Sequence, residues 1–257
     1  KRIRVLPARD ELKTDSLPGR IAPYSGRYFY LLTPLLSGRG LVTEAFGGQF
    51  MLRGVAKLQQ ASFLSREDFA TFLDVAGVSH LLIDKKDPDT PGDLQDTLRS
   101  LMSPVFENDH FVVLENPDNF YPAAFAKNFV AIDEQGTEVA SSSLRAAGQG
   151  LLAVSQRTTF GDDEGLVRLN DNLASVHRMR KVPADAVERR SVQEILADPP
   201  AETGWLVIPE ALHPDWKATQ ARRVLQIAGA YGAFVAIRLD GTAGAILLSF
   251  HPPWWYS

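Results

Sequence analysis

The residues able to do chemistry are few and scattered. Five histidines occur, His80, His110, His177, His213 and His251, and none lies three or four residues from another. Local spacing therefore offers no metal pair. His80 alternates into an apolar run and reads as a hydrogen-bonded structural histidine. Cysteine is absent, which removes thiolate zinc sites, cysteine nucleophiles and disulfides. Asp84, Asp87, Asp89 and Asp93 surround Pro88, Pro91 and Gly92. Oxygen-rich loops of this kind can hold calcium. The spacing is not that of an EF-hand, however, and its twelfth-position Glu is missing, so a solvated turn is the expectation. Asp162-Asp163-Glu164, between Gly161 and Gly165, reads as an exposed loop tip. Two carboxylates facing each other across a cleft could hydrolyse a glycoside, but sequence alone cannot set any of these opposite another. Phosphate-loop, dinucleotide, nucleophile-elbow and zinc-helix motifs are absent. No catalytic residue, metal site or cofactor is assigned.

The aromatic residues of the second half are more informative. Trp205, Trp216 and Tyr231 fall among short strand-like runs. Sugar rings present apolar C–H faces that stack on flat aromatics, while polar neighbours orient the hydroxyls. His213, Trp216 and Tyr231 are therefore candidate carbohydrate contacts. Large aromatics in a sandwich are more often core residues, so a packed framework is the competing reading.

The elements that must position them follow from periodicity. Ser65 can cap a helix with Asp68 three residues on. Phe69, Phe72, Leu73 and Ala76 then form one apolar stripe, and Gly77 stops it. Val78–Ile83 is an apolar run of strand length. Asp93 opens a second helix carrying Leu94, Leu98, Leu101 and Met102, ended by Pro104. Phe111–Leu114 is the next strand. Arg2–Leu6 also alternates as a strand, and the stretch from there to Gly48 reads as loop with short helical turns. Residues 128–155 offer strands at Asn128–Ile132 and Leu151–Ser155, and Leu166, Leu169, Leu173 and Val176 suggest a short helix. From Val187 onward strand-like runs recur at Val187–Val192, Trp205–Ile208, Trp216–Thr219, Val224–Ile227, Ala233–Leu239 and Ala245–Phe250. Asp240-Gly241 between the last two is a hairpin signal.

The expected fold class is α+β. A small α/β module covers 1–130, a connecting region 131–186, and an antiparallel, jelly-roll-like β-sandwich 187–257, to which strands from 128–155 can add. The 257 residues suit two small modules. Apolar residues make up 45% and charged residues 23%, an ordinary globular balance that excludes whole-chain disorder and coiled coil. The net charge of −4 gives no general attraction to nucleic acid. Charge is uneven along the chain. Residues 1–60 carry ten Lys/Arg against four Asp/Glu, whereas 61–165 carry seven against eighteen. No apolar stretch approaches the ~20 residues of a membrane span. The ending His251-Pro252-Pro253-Trp254-Trp255-Tyr256-Ser257 suits either a packed C-terminal strand or a chain entering a membrane interface. With Lys1 at the start, it suggests a piece of a larger protein.

Five segments, in order, resemble one family. They are Phe72–Leu82 (FLDVAGVSHLL), Val113–Pro117 with Tyr121–Phe125 (VLENP and YPAAF), Gly204–Ala218 (GWLVIPEALHPDWKA), Gly229–Ile237 (GAYGAFVAI) and Ser249–Trp254 (SFHPPW). These resemble segments of the bacterial YfhO-type polytopic membrane proteins, which are related to the GT-C glycosyltransferases. The resemblance covers residues 70–130 and 187–257. His213-Pro214-Asp215-Trp216 departs from the family's Tyr-Pro-Gly-Trp. The resemblance implies a domain on the extracytoplasmic face of a bacterial membrane, attached to a transmembrane part of the same polypeptide and acting in cell-envelope glycan assembly. It implies a polyprenyl-phosphate-linked sugar as donor and a catalytic carboxylate in an early loop outside this chain. The chain itself is then expected to recognise a glycan acceptor or support the membrane-embedded site, and to be inactive alone. A secreted carbohydrate-binding or hydrolytic protein and a structural protein-interaction module are the alternatives.

Overall fold

The structure, a computed structural model, describes residues 20–24, 57–58, 66–86, 92–132, 137–155, 165–168, 176–191 and 193–251. In chain order its elements are β1 (Arg20–Tyr24), α1 (Arg66–Val75), β2 (Val78–Asp84), α2 (Gly92–Leu101), β3 (Ser103–Glu107), β4 (Phe111–Glu115), β5 (Ala124–Ala126), β6 (Phe129–Ile132), α3 (Thr137–Gly148) and β7 (Leu152–Ser155). There follow β8 (Arg180–Lys181), β9 (Val187–Arg189), β10 (Glu194–Ala197), β11 (Thr203–Ala211), β12 (Trp216–Gln220), β13 (Arg223–Leu225), β14 (Ile227–Ala230), β15 (Phe234–Asp240) and β16 (Ile246–Phe250). The fold is α+β with an antiparallel β-sandwich.

Contacts divide the chain into two units. One takes Lys1–Gly47 and Ala76–Asn119, the other Gly48–Val75 and Phe120–Ser257. The smaller unit is a four-stranded sheet in the order β1-β2-β4-β3. β2 is buried at every position but Asp84, as a strand covered on both faces must be. His80 within it is 2% exposed, with its Nδ1 3.1 Å from Ser79 Oγ, a structural placement. β1 pairs with β2 in parallel, whereas β2–β4 and β4–β3 are antiparallel. Two expectations change here. Arg20–Tyr24 is a strand, not loop; five residues interrupted by Pro23 have no visible period, and pairing with β2 supplies the order. The second helix ends at Leu101, and Pro104 sits in β3, an edge strand, where a missing N–H is tolerated. Leu101 is accordingly 49% exposed while Leu98 and Met102 are buried.

The larger unit stacks two sheets. A five-stranded antiparallel sheet runs β13-β12-β16-β10-β9, and a seven-stranded one runs β6-β7-β14-β15-β11-β5-β8. Among the described strands of these two sheets, only β6 and β7 pair in parallel. Alternate residues of β11 and β15 point into the sandwich. Leu206, Ile208, Val235, Ile237 and Leu239 meet Ile195, Ala218, Ile246 and Leu248 in one apolar core. The other residues of those strands, Trp205, Val207 and Ala236, are also buried, so the seven-stranded sheet is covered twice. α3 packs on β6 and β7, and α1 packs on α3. The stripe Phe69, Phe72 and Leu73 is buried as its spacing requires. The seven-stranded sheet is strongly coiled. β5 and β6 stand far apart in the pairing order, yet only Lys127 and Asn128 separate them in the chain. Gly204 is needed inside this curve, because a Cβ there would lie 2.6 Å from the Ala126 carbonyl oxygen and 2.7 Å from the Phe125 ring.

Asp240-Gly241 does not close a hairpin. β15 belongs to the seven-stranded sheet and β16 to the five-stranded one, so this turn carries the chain across the sandwich. The turn chemistry is as expected: Gly241 has φ +86°, and the Thr242 N–H donates to the Asp240 carboxylate. The β12–β13 and β14–β15 connections are the tight hairpins. Their central residues, Ala221-Arg222 and Tyr231-Gly232, all have positive φ. α3 was not anticipated, and Leu166 is not helical but bridges to Phe129. The Arg2–Leu6 strand, the Ser65 cap, Leu169, Leu173, Val192 and Trp254-Trp255-Tyr256 lie outside the described residues, as do Asp87, Asp89 and Asp162–Glu164.

Candidate functional site

Two of the three sugar-contact candidates share one turn. His213-Pro214-Asp215-Trp216 is closed by the Trp216 N–H donating to the His213 carbonyl at 3.2 Å. The Asp215 N–H donates to His213 Nδ1 at 3.2 Å, which suits the tautomer with its hydrogen on Nε2. The Asp215 carboxylate lies 3.4 Å from the same nitrogen. Trp216 is 9% exposed, and its indole N–H donates to the Ala211 carbonyl at 3.1 Å. Both rings rest on Phe250, His213 at 5.2 Å edge-on and Trp216 at 5.0 Å tilted. The one polar atom of the indole is thus committed, and little of its face is accessible.

Tyr231 sits elsewhere. It occupies the first central position of the β14–β15 turn with φ 55° and is 2% exposed. Its hydroxyl donates to the Leu151 carbonyl at 3.0 Å and lies 3.1 Å from the Met179 sulfur. Burial pushes the phenol well above its ordinary range. A ring so enclosed has no face left for a sugar. Trp205 is likewise fully buried, edge-on to Phe129 at 5.8 Å with the Arg238 guanidinium 5.2 Å from its ring. For these two the competing reading, a packed framework, describes the geometry.

Beside the His213–Trp216 turn, at the end of β11, the sandwich opens. Pro209 cannot donate to the β15 ladder, and the register shifts between Ile208 and Ala211. Past this bulge the Glu210 carboxylate pairs with Arg189 of β9, in the opposite sheet. Tyr121, on the cis Tyr121–Pro122 peptide that leads into β5, stands at the same opening. Together they line a shallow cleft with about 20 Å³ of enclosed space, open to solvent, with Ile195 and Ile208 among its walls. Glu210 is the more enclosed partner, with its side chain 18% exposed against 39% for Arg189. A half-buried ring, a guanidinium fork and a carboxylate converging on an apolar-walled cleft can bind a small polyhydroxylated ligand. The guanidinium offers donors and the carboxylate acceptors to vicinal hydroxyls.

Sequence reasoning missed these three residues. Glu210 interrupts the apolar run of β11, which is a local signal, but its partner lies 21 residues away in another sheet. Among the described residues no group of three or more His, Asp or Glu could hold a metal ion. Asp84 accepts the Lys86 N–H at 2.9 Å, closing a turn. No described helix is long and apolar enough to cross a membrane. Comparison with known proteins finds no match among family models, curated proteins or solved structures.

Proposed function

We propose that the chain is the extracytoplasmic recognition domain of a membrane glycosyltransferase-like protein in cell-envelope glycan assembly. Its cleft at the end of β11 holds a sugar unit of the acceptor, and bond making belongs to the membrane-embedded part. The observation that carries this reading is the Arg189–Glu210 pair spanning the two sheets beside Tyr121. Tyr121 supplies a face for the apolar side of a pyranose, and the ion pair supplies hydrogen bonds to its hydroxyls. Tyr121 and Glu210 also fall within two of the five segments that resemble the YfhO-type proteins. His213 and Trp216 buttress the adjoining turn in this reading, and Tyr231 stiffens the hairpin behind it.

The test is glycan-array binding of the full chain beside its Tyr121→Ala and Glu210→Ala variants, with a transfer assay using polyprenyl-phosphate mannose. The expected result is selective binding lost in both variants and no sugar transfer. Sugar transfer by the chain alone, or array binding unaffected by both substitutions, overturns the proposal.

A further inference from the structure

The outer face of the five-stranded sheet departs from the pattern that water imposes. A solvated face of an antiparallel sheet ordinarily carries polar residues between the core positions. Ile195, Ala197, Ala218, Leu225, Ile246 and Leu248 point into the core, so their strand neighbours point out. Strand pairing sets five of those outward residues in one row: Val224 beside Thr219, Thr219 beside Leu247, Leu247 beside Leu196, and Leu196 beside Glu188. Val224 is 73% exposed, and Thr219, Leu247 and Leu196 are half-buried. The next row runs Lys217, Ser249, Glu194. The short Ser249 side chain turns back, its hydroxyl donating to the Lys217 carbonyl at 3.4 Å. An ammonium and a carboxylate thus flank the middle strand. Among the described residues neither Lys217 nor Glu194 has an ion-pair partner. The helices pack elsewhere, α1 on α3, α3 on β6 and β7, and α2 on β3.

We infer that this face is the interface of a homodimer whose two-fold axis runs along β16, the middle strand of the sheet. Such an axis, placed between two facing sheets about 10 Å apart, lays β12 of one copy over β10 of the other and keeps each row at its own height. Lys217 then meets the partner's Glu194, and Glu194 meets the partner's Lys217, the reciprocal pairing that an isologous interface requires. Leu247 meets its own counterpart on the axis, and Thr219 lies over the partner's Leu196. The charges select a second copy of the chain, because cation and anion stand one strand to either side of β16 in the same row. An axis across the strands would instead set like strand on like strand and pair neither charge. Five strands about 4.8 Å apart and about 17 Å long give a footprint of roughly 400 Å² per copy, which suits a weak, reversible dimer. The face shares no residue with the β11 cleft.

Sedimentation velocity of the full chain across a concentration series tests it. The unsubstituted chain should pass from monomer to dimer with a dissociation constant on the order of 10–100 μM. Lys217→Glu should weaken association at least about tenfold, since it turns both attractive contacts repulsive, and Glu194→Lys should do the same. An equimolar mixture of these two variants should form a heterodimer about as tight as the original dimer, because each copy supplies the charge that the other lacks. Both side chains point away from the core, and an unchanged near-ultraviolet spectrum shows that the variants are folded. A chain that stays monomeric up to about 500 μM, well above the expected constant, overturns the inference. So does a dimer indifferent to both reversals, or a mixture no tighter than either variant alone.

Discussion

The β14–β15 turn and the cleft at the end of β11 belong to the same unit, and they use polar aromatic chemistry in opposite ways. At the turn the hydroxyl and the N–H of Tyr231 are both committed inward. Its hydroxyl reaches the Leu151 carbonyl, its N–H the Ala153 carbonyl at 2.7 Å, and its ring is enclosed. At the cleft the Arg189–Glu210 pair stays partly open to water, beside a ring that is only half-buried. Satisfied and buried polar groups make a framework rigid. Polar groups left accessible at a concave opening are available to a ligand. An aromatic residue on a sandwich is therefore informative only together with its burial and the partners of its polar atoms.

That contrast predicts effects of different kind and size. Trp205→Ala should be the most damaging, at about 3–5 kcal/mol of unfolding free energy, because it empties a fully buried site between β11 and Phe129. Urea unfolding measures it, and a cost under about 1 kcal/mol would show that the helix-covered face is not a packed core. Tyr231→Phe keeps the ring and removes the hydroxyl, leaving the Leu151 carbonyl without that donor. It should cost about 1–3 kcal/mol and leave any ligand binding unchanged. Glu210→Gln should reverse the pattern, with stability lowered by less than about 1 kcal/mol for a partly exposed pair and sugar binding weakened about tenfold or more.

The smallest effect lies in the other unit. Hydrogen bonds from Arg99 and from Lys85 hold the Glu107 carboxyl down at about 2, below its ordinary 4.5. A carboxyl whose folded value is depressed stabilises the fold above its unfolded value, and that contribution is lost as pH falls through the folded one. Stability should therefore decline slightly between pH 4.5 and about 2, and Glu107→Gln should flatten that slope. Glu107 is solvent-exposed, so the change should be at the limit of acid-unfolding measurements.

Much of the sandwich was legible because its strands are short, apolar and separated by turn residues. Trp205–Ile208 and Trp216–Thr219 fall on strands, and of Ala245–Phe250 all but Ala245 does. The connectivity was less legible. Asp240-Gly241 makes the same local turn whether the chain returns to its own sheet or crosses to the other, and only pairing partners decide between them. α3 escaped notice because its buried face is built from Ala140, Ser143, Leu144 and Ala147, small residues with a weak period. Small residues suit that position, since α3 packs closely on both α1 and β7. The candidate site was the least legible part. Trp216 and Tyr231 are recognisable as aromatics, but burial is a property of the fold. Arg189 and Glu210 become a pair only when two sheets bring them together.

The central claim is that the cleft, not the enclosed aromatics, meets the sugar. The most direct measurement is calorimetric titration of the best array glycan into four proteins: the unsubstituted chain, Glu210→Gln, Tyr121→Ala and Tyr231→Phe. The account predicts that heat of binding disappears for the two cleft variants and persists for Tyr231→Phe. Persistence in both cleft variants, with loss in Tyr231→Phe while that protein stays folded, would contradict it.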